Sequence, residues 1–146
     1  MNIAHEVAKI LEGQLVGTIA ATSGWSMHIG RMPDDRQIPD TALAVRLSGG
    51  EPSNPKWLLD FPNVQVTIRG AANGYQAAYD KAIEVHDVLI GLVAQDVVGG
   101  RIDSVTGIGY INALGFDSNE RPEFTVNFRL IVEPNGTPNS KRLPLT

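Results

Sequence analysis

A chain of 146 residues and 15.7 kDa with a net charge of −4 and a pI near 5.3 has the size of one domain. It lacks the surplus of Lys and Arg with which a whole surface grips nucleic acid. Without cysteine it forms no disulfide, thiolate metal site or cysteine nucleophile, a usage typical of cytoplasmic assembly; with no apolar run near the ~20 residues that cross a bilayer and no basic-then-apolar leader, a soluble, unsecreted chain with no membrane partner is expected.

Ile3, Val7, Ile10 and Leu11 fall on one face of a first helix, with Asn2 as its cap and Gly13 as its stop. From Leu15 to Ile29 the pattern is β-like but broken at Thr22-Ser23-Gly24, which suits two short strands or one strand and an irregular return. Gly30 to Asp40, GRMPDDRQIPD, holds two prolines and five charged groups and reads as a loop, on the surface or at a partner. Leu43, Val45 and Leu47 then alternate with Ala42, Ala44 and Arg46 as a half-buried strand that ends at Ser48-Gly49-Gly50-Glu51-Pro52. Trp57, Leu58, Leu59 and Phe61 form an apolar cluster that should pack down.

Val64, Val66 and Ile68 alternate with Gln65, Thr67 and Arg69 in a second strand, which runs through an Asn73-Gly74 break into a helix. The apolar stripe from Tyr75 to Val93 predicts a long helix from about Gly74 to Val93, ~30 Å at 1.5 Å per residue. Arg101 to Gly115 is glycine-rich and β-prone. Glu123 to Val132 is the clearest strand, with Phe124, Val126, Phe128, Leu130 and Val132 on one side and Thr125, Asn127 and Arg129 on the other. The sum is an α+β fold, a two-layer sandwich whose mainly antiparallel sheet carries the N-terminal helix and the long helix on one face. One domain is expected over residues 1–133, followed by a proline-containing tail at 134–146 that is mobile unless docked.

The junction between strand and helix invites a search for reactive groups. RGAANGYQ lacks the spacing and the lysine of a phosphate loop, and GIGYINALG lacks the register of a dinucleotide fingerprint and precedes no helix. His5, His28 and His86 are dispersed without a paired-ligand motif, and His86 sits on the apolar stripe as a core or interface histidine. Asp34-Asp35, Asp80, Glu84 and Asp87 read as solvated loop and helix faces rather than a cation site. No catalytic, metal or cofactor residue is assigned, so no enzyme is expected; the alternative is a small enzyme using His86 or His28 as base. One constellation points to binding. Arg46, Arg69 and Arg129 occupy the non-core phase of three strands, so one sheet face can carry all three beside Gln65, Thr67, Thr125 and Asn127, facing water, a neighbouring subunit or a polyanion.

In order, the segments His28–Asp35 (HIGRMPDD), Thr41–Pro52 (TALAVRLSGGEP), Phe61–Gly70 (FPNVQVTIRG), Gly74–Leu92 (GYQAAYDKAIEVHDVLIGL) and Leu114–Glu133 (LGFDSNERPEFTVNFRLIVE) resemble the tail terminator, or tail-completion, proteins of long-tailed bacteriophages, sometimes called minor capsid proteins. The most specific pieces are the P-x-V-Q-V-x-x-R-G strand with its Y-x-x-A-Y helix and the closing R-P-x-F-x-V-N-F strand.

The resemblance implies a virion protein assembled in the host cytoplasm. It forms a ring, usually hexameric, that caps the tail tube, stops its polymerisation and meets the neck at the head-tail joint. Its partners are then further copies of itself, the major tail-tube protein, a neck or stopper protein and the tape-measure protein, with DNA passing through a channel without sequence-specific binding. The nearest alternative in this class is another neck protein, a stopper or adaptor. Arg46, Arg69 and Arg129 become candidates for the channel wall or a subunit contact, and Arg31, Asp34, Asp35 and Arg36 for a docking loop. Only 19% of residues are charged, and Trp25, Trp57 and Tyr75 need not face water in a ring. Both Gly30–Asp40 and the tail after Glu133 are then expected to be mobile in the free protein and ordered on assembly.

Overall fold

The N-terminal stretch folds as an amphipathic helix, α1 (Ile3–Gly13), in the computed structural model, which describes residues 1–145. The Asn2 side chain accepts the His5 backbone N–H at 3.2 Å and caps it, while Val7, Ala8 and Leu11 are buried. The helix ends at Gly13, as expected. It closes with the Leu15 N–H on the Glu12 carbonyl and the Val16 N–H on the Leu11 carbonyl, with Leu15 itself in the left-handed region at φ 62°. That paired closure normally places glycine where Leu15 stands.

The residues that follow form eight strands: β1 (Thr18–Ile19), β2 (Ser26–Ile29), β3 (Ala42–Glu51), β4 (Phe61–Arg69), β5 (Gln95–Val97), β6 (Gly100–Gly107), β7 (Asn112–Phe116) and β8 (Pro122–Pro134). The second helix, α2 (Tyr75–Leu89), lies between β4 and β5. The strands make one curled, mostly antiparallel sheet in the order β1-β2-β3-β4-β8-β6-β5, with β7 alongside β8; β1, β2 and β3 run parallel. The fold is therefore α+β.

Residues of both helices share one core with the inward-facing sheet residues, among them Leu43, Val45, Val64, Val66, Ile68, Phe124, Val126 and Phe128. The period-two pattern of β4 and β8 thus sorts core from polar residues as expected. Leu47 keeps the core phase of β3 but stays exposed, and β3 continues through its glycines to Glu51 by a register shift between Leu47 and Gly50. A side chain on Gly50 would place its Cβ 2.3 Å from the Phe61 carbonyl oxygen, so this crossing needs glycine.

At the junction of β4 with α2, Asn73 takes a left-handed φ of 61°, which asparagine tolerates, and its N–H donates to the Glu120 carbonyl at 2.9 Å. A Cβ at Gly70 would stand 2.8 Å from that of Ala78, so glycine there lets the helix start lie close on the strand end. Ala71, Ala72 and Asn73 between them stay exposed. Helix α2 is shorter than its apolar stripe: it ends at Leu89 because Ile90 turns extended and Gly91 takes φ 73°. Ala78, Ala82, Val85 and Leu89 are buried, and Val93, which the stripe includes, is exposed.

Candidate assembly surfaces

The polar phase of the sheet carries all three arginines, because Arg46 lies opposite Gln65, Asn63 opposite Arg129 and Arg69 opposite Glu123. Their surroundings differ. Arg46 is exposed, and its Nε donates to Gln65 Oε1 at 2.9 Å; Gln65 Nε2 in turn donates to Asn127 Oδ1 at 3.1 Å, a polar ladder across β3, β4 and β8. Arg129, also exposed, stands 3.6 Å from Glu51.

Arg69 is only 2% exposed, and its guanidinium is spent within its own chain. It donates to the backbone carbonyls of Asp40 at 2.8 Å, Pro33 at 2.6 Å and Pro39 at 3.0 Å. All three belong to the Gly30–Asp40 loop. Alternation assigns the face of a strand residue but not what folds over that face, and here the loop does. Burial, then the nearby charge of Arg121, lowers the Arg69 pKa from its ordinary value, opposed by Asp34, Asp40 and Asp117.

A second arginine secures the same loop. Arg121, 6% exposed, donates from Nε to Asp117 at 2.7 Å, from Nη1 to Asp40 at 3.1 Å and from Nη2 to Asp34 at 3.3 Å. Burial raises the Asp117 carboxyl, but the backbone N–H groups of Arg121 and Asn119 and the guanidinium outweigh it and hold Asp117 below the usual carboxylate range. The Gly30–Asp40 loop is therefore tied to its own domain by hydrogen bonds from two buried arginines. Of the four candidate docking-loop residues, Asp34 is used by Arg121, Asp35 accepts the Gln37 N–H at 2.9 Å, and neither Arg31 nor Arg36 enters a side-chain hydrogen bond or ion pair among the described residues.

The tail behaves differently. Arg142 Nη1 meets Asp60 Oδ1 at 2.7 Å, and Leu143 exchanges backbone hydrogen bonds with Lys56 and Leu58 at 2.9 and 2.8 Å. It docks on its own domain with Leu143 and Leu145 still exposed; its last residue, Thr146, lies outside the described residues.

The two candidate bases differ in their surroundings. Ser26 Oγ lies 2.7 Å from both the Ala21 carbonyl and His28 Nε2. Its single proton goes to the carbonyl, so His28 donates to Ser26 and cannot activate it. Burial, then the charge of Arg69, lowers the His28 pKa. His86 packs edge-on against Tyr110, ring centroids 5.4 Å apart. Among the described residues no three His, Asp or Glu side chains gather as metal ligands, and no helix is long and apolar enough to cross a membrane.

Sequence reasoning missed two features. Arg121 and Arg142 act as anchors through partners 81–87 and 82 positions away, a separation that no local pattern encodes. Tyr75, Tyr110, Leu114 and Phe116 are exposed together beside β7; the signal for them was the absence of any Asp, Glu, Lys or Arg from Ser104 to Phe116.

A family model for bacteriophage tail terminator protein matches residues 10–134. A comparison with curated sequences returns no match. Among solved structures, a chain from the virion of a native gene transfer agent particle superposes with a TM-score of 0.70 at 17% identity, covering 90% of this chain and 95% of that one. At that identity the likeness is one of fold.

Proposed function

The chain belongs to the bacteriophage tail terminator proteins, structural proteins of the phage tail, and from that premise we propose that its copies close into a hexameric ring on the end of the tail tube. There the ring stops tube polymerisation and joins the tail to a neck or stopper protein, leaving a channel for DNA and the tape-measure protein. The observation that carries this reading is the extent of the family match, from within α1 to the end of β8, so that the likeness lies in the whole sheet and both helices rather than in one motif.

In this arrangement the two helices form a layer on the outer side and the helix-free sheet face lines the channel. Arg46 and Arg129 then meet the passing DNA, but each already has a polar or acidic neighbour, Gln65 or Glu51. Partial neutralisation suits passage, since phosphate contacts made by unpaired cations hold DNA tightly. Arg69 takes no part in the wall; it fixes the loop that offers Arg31 and Arg36 to the tube or the neck. The reading assigns the protein no catalysis.

Native mass and electron microscopy of the purified chain, alone and with isolated tail tubes, test the ring. Closed rings at tube ends, and tubes that stop growing once the protein is added, are expected. A strict monomer under both conditions, with tubes growing unchecked, overturns the proposal.

A further inference from the structure

The two longest stretches without Asp, Glu, Lys or Arg, Gly13–Gly30 and Ser104–Phe116, each hold a strand with one unpaired side. These are β1, bonded only to β2, and β7, bonded only to β8. Backbone register puts them on one level of the sheet. One row runs Thr18, Ser26, Ala42, Arg69, Glu123, Gly115, and the next runs Ile19, Met27, Leu43, Ile68, Phe124, Ala113. At this level β1 and β7 are the terminal strands. Since β1, β2 and β3 are parallel and each step from β3 through β4 and β8 to β7 is antiparallel, β1 and β7 point in opposite directions.

Both flanks expose apolar surface, although Tyr110 also packs on His86 and Phe116 on Tyr75. Beside β7 stand Tyr110, Leu114 and Phe116. Before β1 stands Leu15, 87% exposed and held at a φ of 62°. A leucine that is both solvated and in backbone space that favours glycine gains nothing from the isolated fold. At the other level of the sheet the edge at β5 is guarded by charge, Asp96 on β5 pairing with Arg101 on β6 at 3.0 Å. Strands β1 and β7 carry no charged side chain themselves, though Glu12 and Lys81 stand beside β1.

We infer that the β7 flank of one copy seats antiparallel against the β1 flank of the next copy, covering Tyr110, Leu114 and Phe116 with Leu15 and its surroundings. The inference rests on the ring reading above and names its contact. A second copy is the fitting occupant because the two edges share a level and oppose in direction. Rotation about an axis along the strands then brings one to the other with no rise, as a closed ring requires, whereas edges on different levels generate a filament. The main-chain share of the contact is small. Strand β1 has two residues, and the Ile19 N–H already donates to Glu12 Oε2 at 2.8 Å, so Glu12 guards this edge until the neighbour arrives and apolar cover supplies most of the affinity.

The chain has no cysteine, so a Thr18→Cys/Leu114→Cys double variant treated with a short bis-maleimide is expected to give a covalent ladder up to the ring size, while each single variant gives no ladder. As a second measurement, Leu114→Lys and Leu15→Asp, both at exposed positions, should each raise the midpoint concentration for assembly by at least ~10-fold, and combining them in one chain should restore part of it. If the parent chain forms rings but the double cysteine variant gives no ladder and both charged variants assemble like the parent, this contact is wrong while the ring stands. A parent that stays monomeric with and without tubes overturns both.

Discussion

The Gly30–Asp40 loop and the tail after Pro134 look alike as sequence, both irregular and rich in proline, and each is tied to the domain by arginine. The ties are not equivalent. The loop is held by two arginines that are 2% and 6% exposed, one giving three hydrogen bonds to its carbonyls and the other bridging three carboxylates. The tail hangs on Arg142, whose side chain is 24% exposed, and on two backbone hydrogen bonds at Leu143. Removing Arg69 leaves backbone carbonyls without their donor, whereas the acceptors of an exposed cation can be taken over by water. Anchor burial, not proline content, therefore separates the more firmly held segment from the less.

The largest effect that can break this comparison comes from Arg69→Met, which keeps the apolar stem but leaves three loop carbonyls without a donor. A loss of about 3 kcal/mol, or a fall in Tm of about 10 °C, is expected, with exchange protection lost first across Gly30–Asp40. Arg121→Gln should cost less, about 1.5 kcal/mol, because Asp34 and Asp40 are exposed enough to be solvated and screened. High salt should narrow the gap between Arg121→Gln and the parent but leave that of Arg69→Met unchanged. Arg69→Met melting with the parent would remove the argument from burial.

Much of this scaffold was legible in the sequence and the anchors were not, for a physical reason. Alternation in Val64–Ile68 and Phe124–Val132 and the helical spacing in Ile3–Leu11 report which side of an element is apolar, and those sides do meet in one core. Arg69, Arg46 and Arg129 share their phase, yet only Arg69 is buried, because a loop from another part of the chain covers one end of that face. The end of α2 was missed since the stripe continues through Ile90 and Val93 while the backbone turns at Gly91. Strands β1 and β5, two and three residues long, are too short to show a period.

Acid should act on the loop before the tail. In the fold, His28 is kept neutral by burial and by the charge of Arg69, so its pKa lies below the ordinary 6.5. A lowered folded pKa means that the unfolded chain binds the proton first. The stabilisation is complete above 6.5 and is lost as pH falls through the folded value. At the tail, burial raises the Asp60 carboxyl, but hydrogen bonds from Arg142 and Ser53 and the charge of Arg142 outweigh it, leaving Asp60 below its ordinary 3.8. That contribution persists until the solution is below about 3.8. Between pH 7 and about 5, exchange should rise near β2 and the loop while the tail stays unchanged, and His28→Gln should flatten the response. A parent whose tail loosens in that window with its loop unaffected would reverse the comparison.

The smallest effect is the most diagnostic of release. Arg142→Ala removes the ion pair with Asp60 and its contacts with the carbonyls of Asn54 and Trp57 at 3.3 Å. Those carbonyls lie at a partly exposed surface where water can replace the guanidinium, so Tm should remain at the parent value. Only local opening of the tail becomes easier, and faster exchange should be confined to the amides of Leu143 and of Leu58, which donate across the Trp57–Leu143 bridge. If the tail opens when the ring joins its neighbours, the free Arg142→Ala chain should already show the exchange pattern of the assembled parent in this segment. Unchanged exchange at Leu143 in the variant would mean that the backbone bonds alone hold the tail, and that it is as fixed an element as the loop.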